Sequence, residues 1–149
     1  MRLDPEEARR RFGLARVARL ATADGAGPPH VVPVTFVLDG DRVYSAVDSK
    51  PKSTRDLRRL RNIGADPRVT LLADHYEEDW SLLWWVRAEG IASVLTGYAE
   101  MAAPIGLLTS RYPQYLEERP GGPVIGVTVH RWVGWAARAP RDGLPTVCP

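Results

Sequence analysis

The chain has 149 residues and a mass of 16.5 kDa, enough for one domain with a core that needs no disulfide staples. Hydrophobic residues at 44% and charged residues at 26% are ordinary for a globular protein, and a net charge of +2 excludes a domain whose main work is coating nucleic acid. The lone Cys148 excludes an internal disulfide, no apolar run reaches the ~20 residues of a membrane span, and the start lacks the apolar core of a secretory signal, so the cytoplasm is the expected compartment.

The first predicted element is a helix opened by Asp4-Pro5-Glu6-Glu7: a capping Asp, Pro at the first helical position and acids at the positive helix end. It is expected to end at Gly13. A strand over 15–22 follows, then the turn cluster 23–27 and a second strand over 30–38. Asp39-Gly40-Asp41 marks a hairpin turn into a third strand over 42–47. Ser53-Thr54-Arg55-Asp56 reads as a capping box, with Leu57, Leu60 and Ile63 at helical spacing and Arg58, Arg59 and Arg61 on the opposite side. Asp66-Pro67 ends that helix.

A fourth strand over 68–76 leads to an acidic loop, 77–79. A long strand over 80–95 is expected to carry a bulge at Glu89-Gly90. Residues 96–116 read as helix broken near Pro104 and Pro113, and 123–132 as the last strand. The fold class is therefore mainly β (α+β), a six-stranded antiparallel split barrel with flanking helices. Residues 1–137 form the single domain, and 138–149 a loose tail or dimer arm.

The second strand is apolar on both faces. Val32, Val34, Phe36 and Leu38 alternate with Val31, Pro33, Thr35 and Val37, so a second subunit or a flat ligand is expected on the face that the barrel interior does not cover. Pro33 has no N–H to donate, which leaves the strand open at that point.

The strongest chemical constellation is Ser49-Lys50-Pro51-Lys52-Ser53-Thr54-Arg55, running from a strand end into a helix start. Of 20 basic residues only Lys50 and Lys52 are lysines. With Ser53, Thr54 and Arg55 they supply the charge and donors to hold an anion such as a phosphate. The structural alternative is a capped surface helix with solvated lysines. Trp84 and Trp85 point to opposite faces of one strand, so one can fill the barrel while the other meets a ligand or a partner. His30, His75 and His130 lie on separate strands without metal-ligand spacing, and no metal site is expected. No serine sits in a Gly-x-Ser-x-Gly elbow. An anion cradle beside flat apolar surface, with no evident acid, base or nucleophile, suits a cofactor that performs the reaction while the protein positions it.

Arg19-Leu20-Ala21-Thr22-Ala23-Asp24-Gly25, Pro29-His30-Val31-Val32-Pro33-Val34 and Asp66-Pro67-Arg68-Val69-Thr70-Leu71-Leu72 together resemble the pyridoxamine 5′-phosphate oxidase-like split β-barrel proteins. Lys50-Pro51-Lys52, Arg61-Asn62-Ile63, Asp74-His75-Tyr76 and the run from Asp79 to Arg87 are similar to the actinobacterial branch that uses the deazaflavin coenzyme F420. The resemblance implies a homodimer with cofactor sites at the subunit interface. It implies a ring lying against Val32, Pro33, Val34 and Thr35, and a phosphate end at Lys50, Lys52, Ser53 and Thr54. Partner aromatics, Trp84 or Trp85, would complete the pocket. Val34-Thr35-Phe36 stands where the true oxidases carry a basic phosphate-binding motif, so the implied cofactor is F420, with FMN as the alternative. The implied activity is hydride transfer to an unsaturated or quinone-like small molecule, with neither nucleic acid nor membrane as partner. A non-catalytic cofactor carrier and a haem-binding split barrel are the rival readings.

Overall fold

A computed structural model of the protein describes residues 1–47 and 57–138. Helix α1 (Pro5–Leu14) opens as its sequence dictates: Asp4 accepts the backbone N–H of Glu7 at 2.9 Å, with Pro5 in the first turn. Strands β1 (Ala18–Thr22), β2 (His30–Val34), β3 (Val37–Asp39) and β4 (Arg42–Ala46) follow. Helix α2 (Arg58–Ala65) precedes β5 (Arg68–His75) and β6 (Trp84–Leu95). Helices α3 (Tyr98–Arg111) and α4 (Gln114–Glu117) lead to β7 (Val124–Ala136).

The seven strands form one antiparallel sheet in the order β2-β1-β5-β6-β7-β4-β3. The two outermost strands, β2 and β3, are joined only by Thr35 and Phe36. The sheet must therefore curl until its edges meet at that corner, which gives the split barrel with helices packed around it. The apolar run expected as one strand over 30–38 is divided there. Its first part pairs with β1 (Ala18 opposite Val34) and its second with β4 (Val37 opposite Tyr44), so six expected strands become seven.

The β3–β4 turn places Gly40 at φ +60°, a conformation open to glycine and disfavoured for side chains, with Asp39 opposite Arg42. The bulge falls at Glu89/Gly90 as the sequence indicated. A Cβ on Gly90 would come within 2.5 Å of the Thr128 carbonyl oxygen, so the close β6–β7 approach requires glycine.

Three expectations are corrected. Trp80 does not begin a strand: Asp79 caps a single 3-10 turn, Trp80–Leu82, by accepting from the Ser81 N–H at 3.0 Å, and β6 starts at Trp84. Pro104 does not break its helix; it lies buried inside α3, which ends before Pro113. The last strand runs on to Ala136, because the whole of β6 is available to pair with it. The capping sequence Ser53-Thr54-Arg55-Asp56 and the tail 139–149 lie outside the described residues.

The core fills the curled sheet. Phe12 of α1 packs on Phe36 with the rings tilted at 43° and 4.8 Å between centroids, and meets Trp132 edge-on at 5.3 Å. Leu20, Leu71, Val86, Val127 and Trp84 complete the same cluster. A smaller cluster joins Val37 to Leu108 and Tyr112, fixing α3 against the β3–β4 hairpin. No described helix is long and apolar enough to cross a membrane.

Candidate functional site

A cavity of about 290 Å³ lies beside the corner between β2 and β3. Pro33, Val34 and Thr35 form one wall, Ser45 and Ala46 of β4 another, and Arg59 and Tyr115 reach it from α2 and α4. Its surface thus combines apolar side chains, three hydroxyls and one guanidinium. Thr35 Oγ1 and the Tyr115 hydroxyl lie 2.9 Å apart, and either can donate. Each hydroxyl is both donor and acceptor, so the pair retains a proton for a ligand.

Arg59 is delivered by the way α2 is anchored. Ile63 enters the core, and Asn62, itself buried, donates from Nδ2 to Thr22 Oγ1 at 3.0 Å, tying the helix to β1. Arg58 donates to the Pro28 carbonyl at 3.1 Å, holding the helix start against the β1–β2 loop. That loop is itself fixed: the Gly27 and Ala26 N–H groups bond Asp24 Oδ1, at 2.7 and 2.9 Å, and lower the Asp24 pKa.

A larger but shallower depression of about 630 Å³ lies between α1 and the β3–β4 turn. Its charges already answer one another. Glu7 accepts from Arg10 and Arg11 at 2.8 Å, and Arg9 faces Asp41 at 3.5 Å. Leu38 is the one large apolar side chain in its lining, and with its charges paired the smaller, less open cavity is the better candidate.

Of the residues singled out from sequence, Pro33, Val34 and Thr35 line the cavity. Val32 points instead into the core from a half-buried position. Lys50, Lys52, Ser53, Thr54 and Arg55 lie outside the described residues. Trp84, 5% exposed, is a core residue and is the one of the two tryptophans that fills the barrel. Trp85 occupies the outer sheet face, opposite Trp135 across the β6–β7 ladder, with the Arg87 guanidinium 5.8 Å from its ring centre. On the same face lie Val31, Leu72 and Trp135, all exposed, together with the ion pairs Arg19–Asp74 and Arg87–Glu89–Arg131. Sequence reasoning missed Arg59 and Tyr115. The sequence sets the first with Arg58 and Arg61 on the side of the helix opposite its apolar positions, and the second in a stretch that shows only helical character. One sign of Arg59 was available: its neighbours at helical spacing, Ile63 and Asn62, turn the same side of α2 toward the sheet.

The sequence profile of the pyridoxamine 5′-phosphate oxidase family matches residues 4–136. No curated protein matches the chain. Among solved structures, an FAD-binding protein from Mesorhizobium loti is 19% identical, covers 90% of this chain and 95% of its own, and superposes with a TM-score of 0.69. The FAD binding protein of Mycobacterium smegmatis is 18% identical over 89% of this chain and 93% of its own, with a TM-score of 0.60. A heme storage protein of Vibrio cholerae is 20% identical over 87% and 89%, with a TM-score of 0.62. At these identities the solved structures establish a shared fold.

Proposed function

The chain belongs to the pyridoxamine 5′-phosphate oxidase family, and from that premise we propose that it is a cytoplasmic, homodimeric oxidoreductase using coenzyme F420. FMN is the alternative cofactor. The observation that carries the reading is the cavity at the β2–β3 corner: an apolar wall, hydroxyls and the Arg59 guanidinium within one concave surface. This donor set fits a flat ring with an anionic tail. Arg59 would hold negative charge, Thr35 and Tyr115 would hydrogen-bond polar ring or side-chain atoms, and Pro33 and Val34 would exclude water from one side. Lys50, Lys52, Ser53, Thr54 and Arg55, outside the described residues, would add the anion cradle expected from sequence.

A deazaflavin supplies two-electron hydride chemistry to an unsaturated or quinone-like acceptor. The protein then needs to orient and desolvate, which is what this lining offers. FAD-binding proteins among the structural neighbours favour a tricyclic cofactor. The sequence motifs similar to the F420 branch favour the deazaflavin. The outer face carrying Val31, Leu72, Trp85 and Trp135 is the surface a second copy would cover, bringing Trp85 to the partner's site.

A heme storage protein among the neighbours favours one second reading, a haem binder without turnover. Titration of the purified protein with F420, FMN and haemin, followed by tryptophan fluorescence and visible absorbance, separates them. Reduced F420 should bind and be oxidised when menadione is added. Binding of FMN alone overturns the deazaflavin assignment, and a Soret band without binding of F420 or FMN overturns the oxidoreductase.

A further inference from the structure

Residues Thr35 and Phe36 belong to neither ladder, because the chain there passes from one edge of the sheet to the other. Buried backbone groups at such a corner need partners from outside the sheet. The end of α3 and the residue after it supply them. Phe36 donates its N–H to the Tyr112 phenolic oxygen at 3.1 Å. Arg111 donates from Nη1 to the Phe36 carbonyl at 2.7 Å and from Nη2 to the Ala15 carbonyl.

Tyr112 has one proton and two acceptors in reach, the Phe36 carbonyl at 2.8 Å and the Arg16 carbonyl at 2.9 Å. Since Arg111 already serves Phe36, sending the proton to Arg16 satisfies both carbonyls. The result is a relay from the β2–β3 corner through the phenol to the link between α1 and β1. Tyr115 continues the device into the cavity: its ring meets that of Tyr112 edge-on at 5.8 Å, and its hydroxyl meets Thr35.

The chemistry of the two anchoring side chains suits a fixed arrangement. Arg111 is half-buried, lies 4.8 Å from the Phe36 ring centre and 5.3 Å from that of Tyr112, and has no carboxylate partner among the described residues. Burial pushes its pKa down, yet an arginine keeps its proton and so remains a donor. Burial likewise raises the Tyr112 pKa, which keeps the phenol neutral and able to donate. A guanidinium satisfied by carbonyls and ring faces is a demanding way to hold two loops together. Its planar fork fixes direction as well as distance.

We propose that Arg111 and Tyr112, which stand behind the cavity wall, are positioning residues: by fixing the Phe36 backbone they set where the Thr35–Tyr115 hydroxyl pair meets the bound cofactor. The inference rests on the reading that this cavity holds a flavin-type cofactor. It assigns to the end of α3 a role in cofactor binding beyond packing.

The test is a double-mutant cycle on cofactor affinity, measured with F420 and with FMN. The proteins are the parent, Tyr112→Phe, Thr35→Val and the double variant, each shown to be folded by circular dichroism. Tyr112→Phe should weaken the tighter-binding cofactor on the order of tenfold when Thr35 is present, and much less when it is valine, since the group being placed is then gone. Additive losses, or no loss, overturn the positioning role. If Tyr112→Phe does not fold, Arg111→Lys and Arg111→Met carry the same cycle. Lysine should retain more affinity than methionine only in the Thr35 background, and equal affinities overturn the proposal. A parent that binds neither cofactor removes the cofactor reading and this inference together. A parent that binds, with an additive cycle, removes the positioning role alone.

Discussion

Trp84 and Trp85 are neighbours in β6 and live in different environments. Trp84 pairs with His75 and Ala136 in the ladders and sends its indole into the core, whereas Trp85 pairs with Asp74 and Trp135 and lies on the outer face. Strand alternation alone produces this split, and the curl of the sheet decides which face is inside.

The two tryptophans should therefore respond differently to truncation. Trp84→Ala empties a core position and is expected to cost about 3–5 kcal/mol, read as a lowered Tm. Trp85→Ala should leave the far-ultraviolet spectrum intact and weaken self-association in sedimentation equilibrium. A Trp85 variant that associates as well as the parent would remove this face from the interface.

Arg59→Met should reduce affinity for F420 or FMN by roughly ten- to a hundredfold, as expected for a lost charge-assisted contact. The loss should shrink as salt rises, because the missing contribution is electrostatic. Isothermal titration at two ionic strengths measures both effects.

Asn62→Leu tests the anchor of α2. The amide donor to Thr22 is buried, so its removal leaves a buried hydroxyl without that partner and should cost ~1–3 kcal/mol in urea unfolding. Adding Thr22→Val should recover part of the loss, since both polar partners are then absent.

Gly90→Ala should destabilise by about 1–3 kcal/mol, because the new methyl meets the Thr128 carbonyl and the Val127 side chain. Gly64→Ala is the control, with open space around the added Cβ inside α2; it should be neutral or stabilising in the same thermal melts.

Glu7 gives a pH signature. The Arg10 hydrogen bonds, seconded by Arg11, hold its carboxyl down from 4.5 to about 2 against the opposing effect of burial. A lowered folded-state pKa means the unfolded chain takes up the proton first, so this stabilisation is complete above about 4.5 and fades as pH falls toward 2. Glu7→Gln should therefore be less stable than the parent at neutral pH, by ~1 kcal/mol, with the gap closing below pH 4. Urea melts across that range check it; a gap that widens on acidification would contradict the assignment.

Much of the fold was written locally. Asp4-Pro5 specified the start of α1, Asp39-Gly40 the tight hairpin, Glu89-Gly90 the bulge, and the alternation around Trp84 and Trp85 the two faces of β6. These signals are short in range: a cap, a positive φ and a two-residue period are read within a few neighbours. At the cavity, Pro33, Val34 and Thr35 come from the family resemblance, which lays a ring against the second strand; the residues by themselves show only that Pro33 leaves the strand open there.

Tertiary structure alone decided the rest. Nothing local says that β4 pairs with β7, or that one apolar run serves both edges of the sheet. Those pairings follow from closing the sheet on a shared core, a global condition that no short window contains. The same closure brings Arg59 and Tyr115, from two helices far apart in the chain, to the wall formed by Thr35, and joins the three into one polar surface.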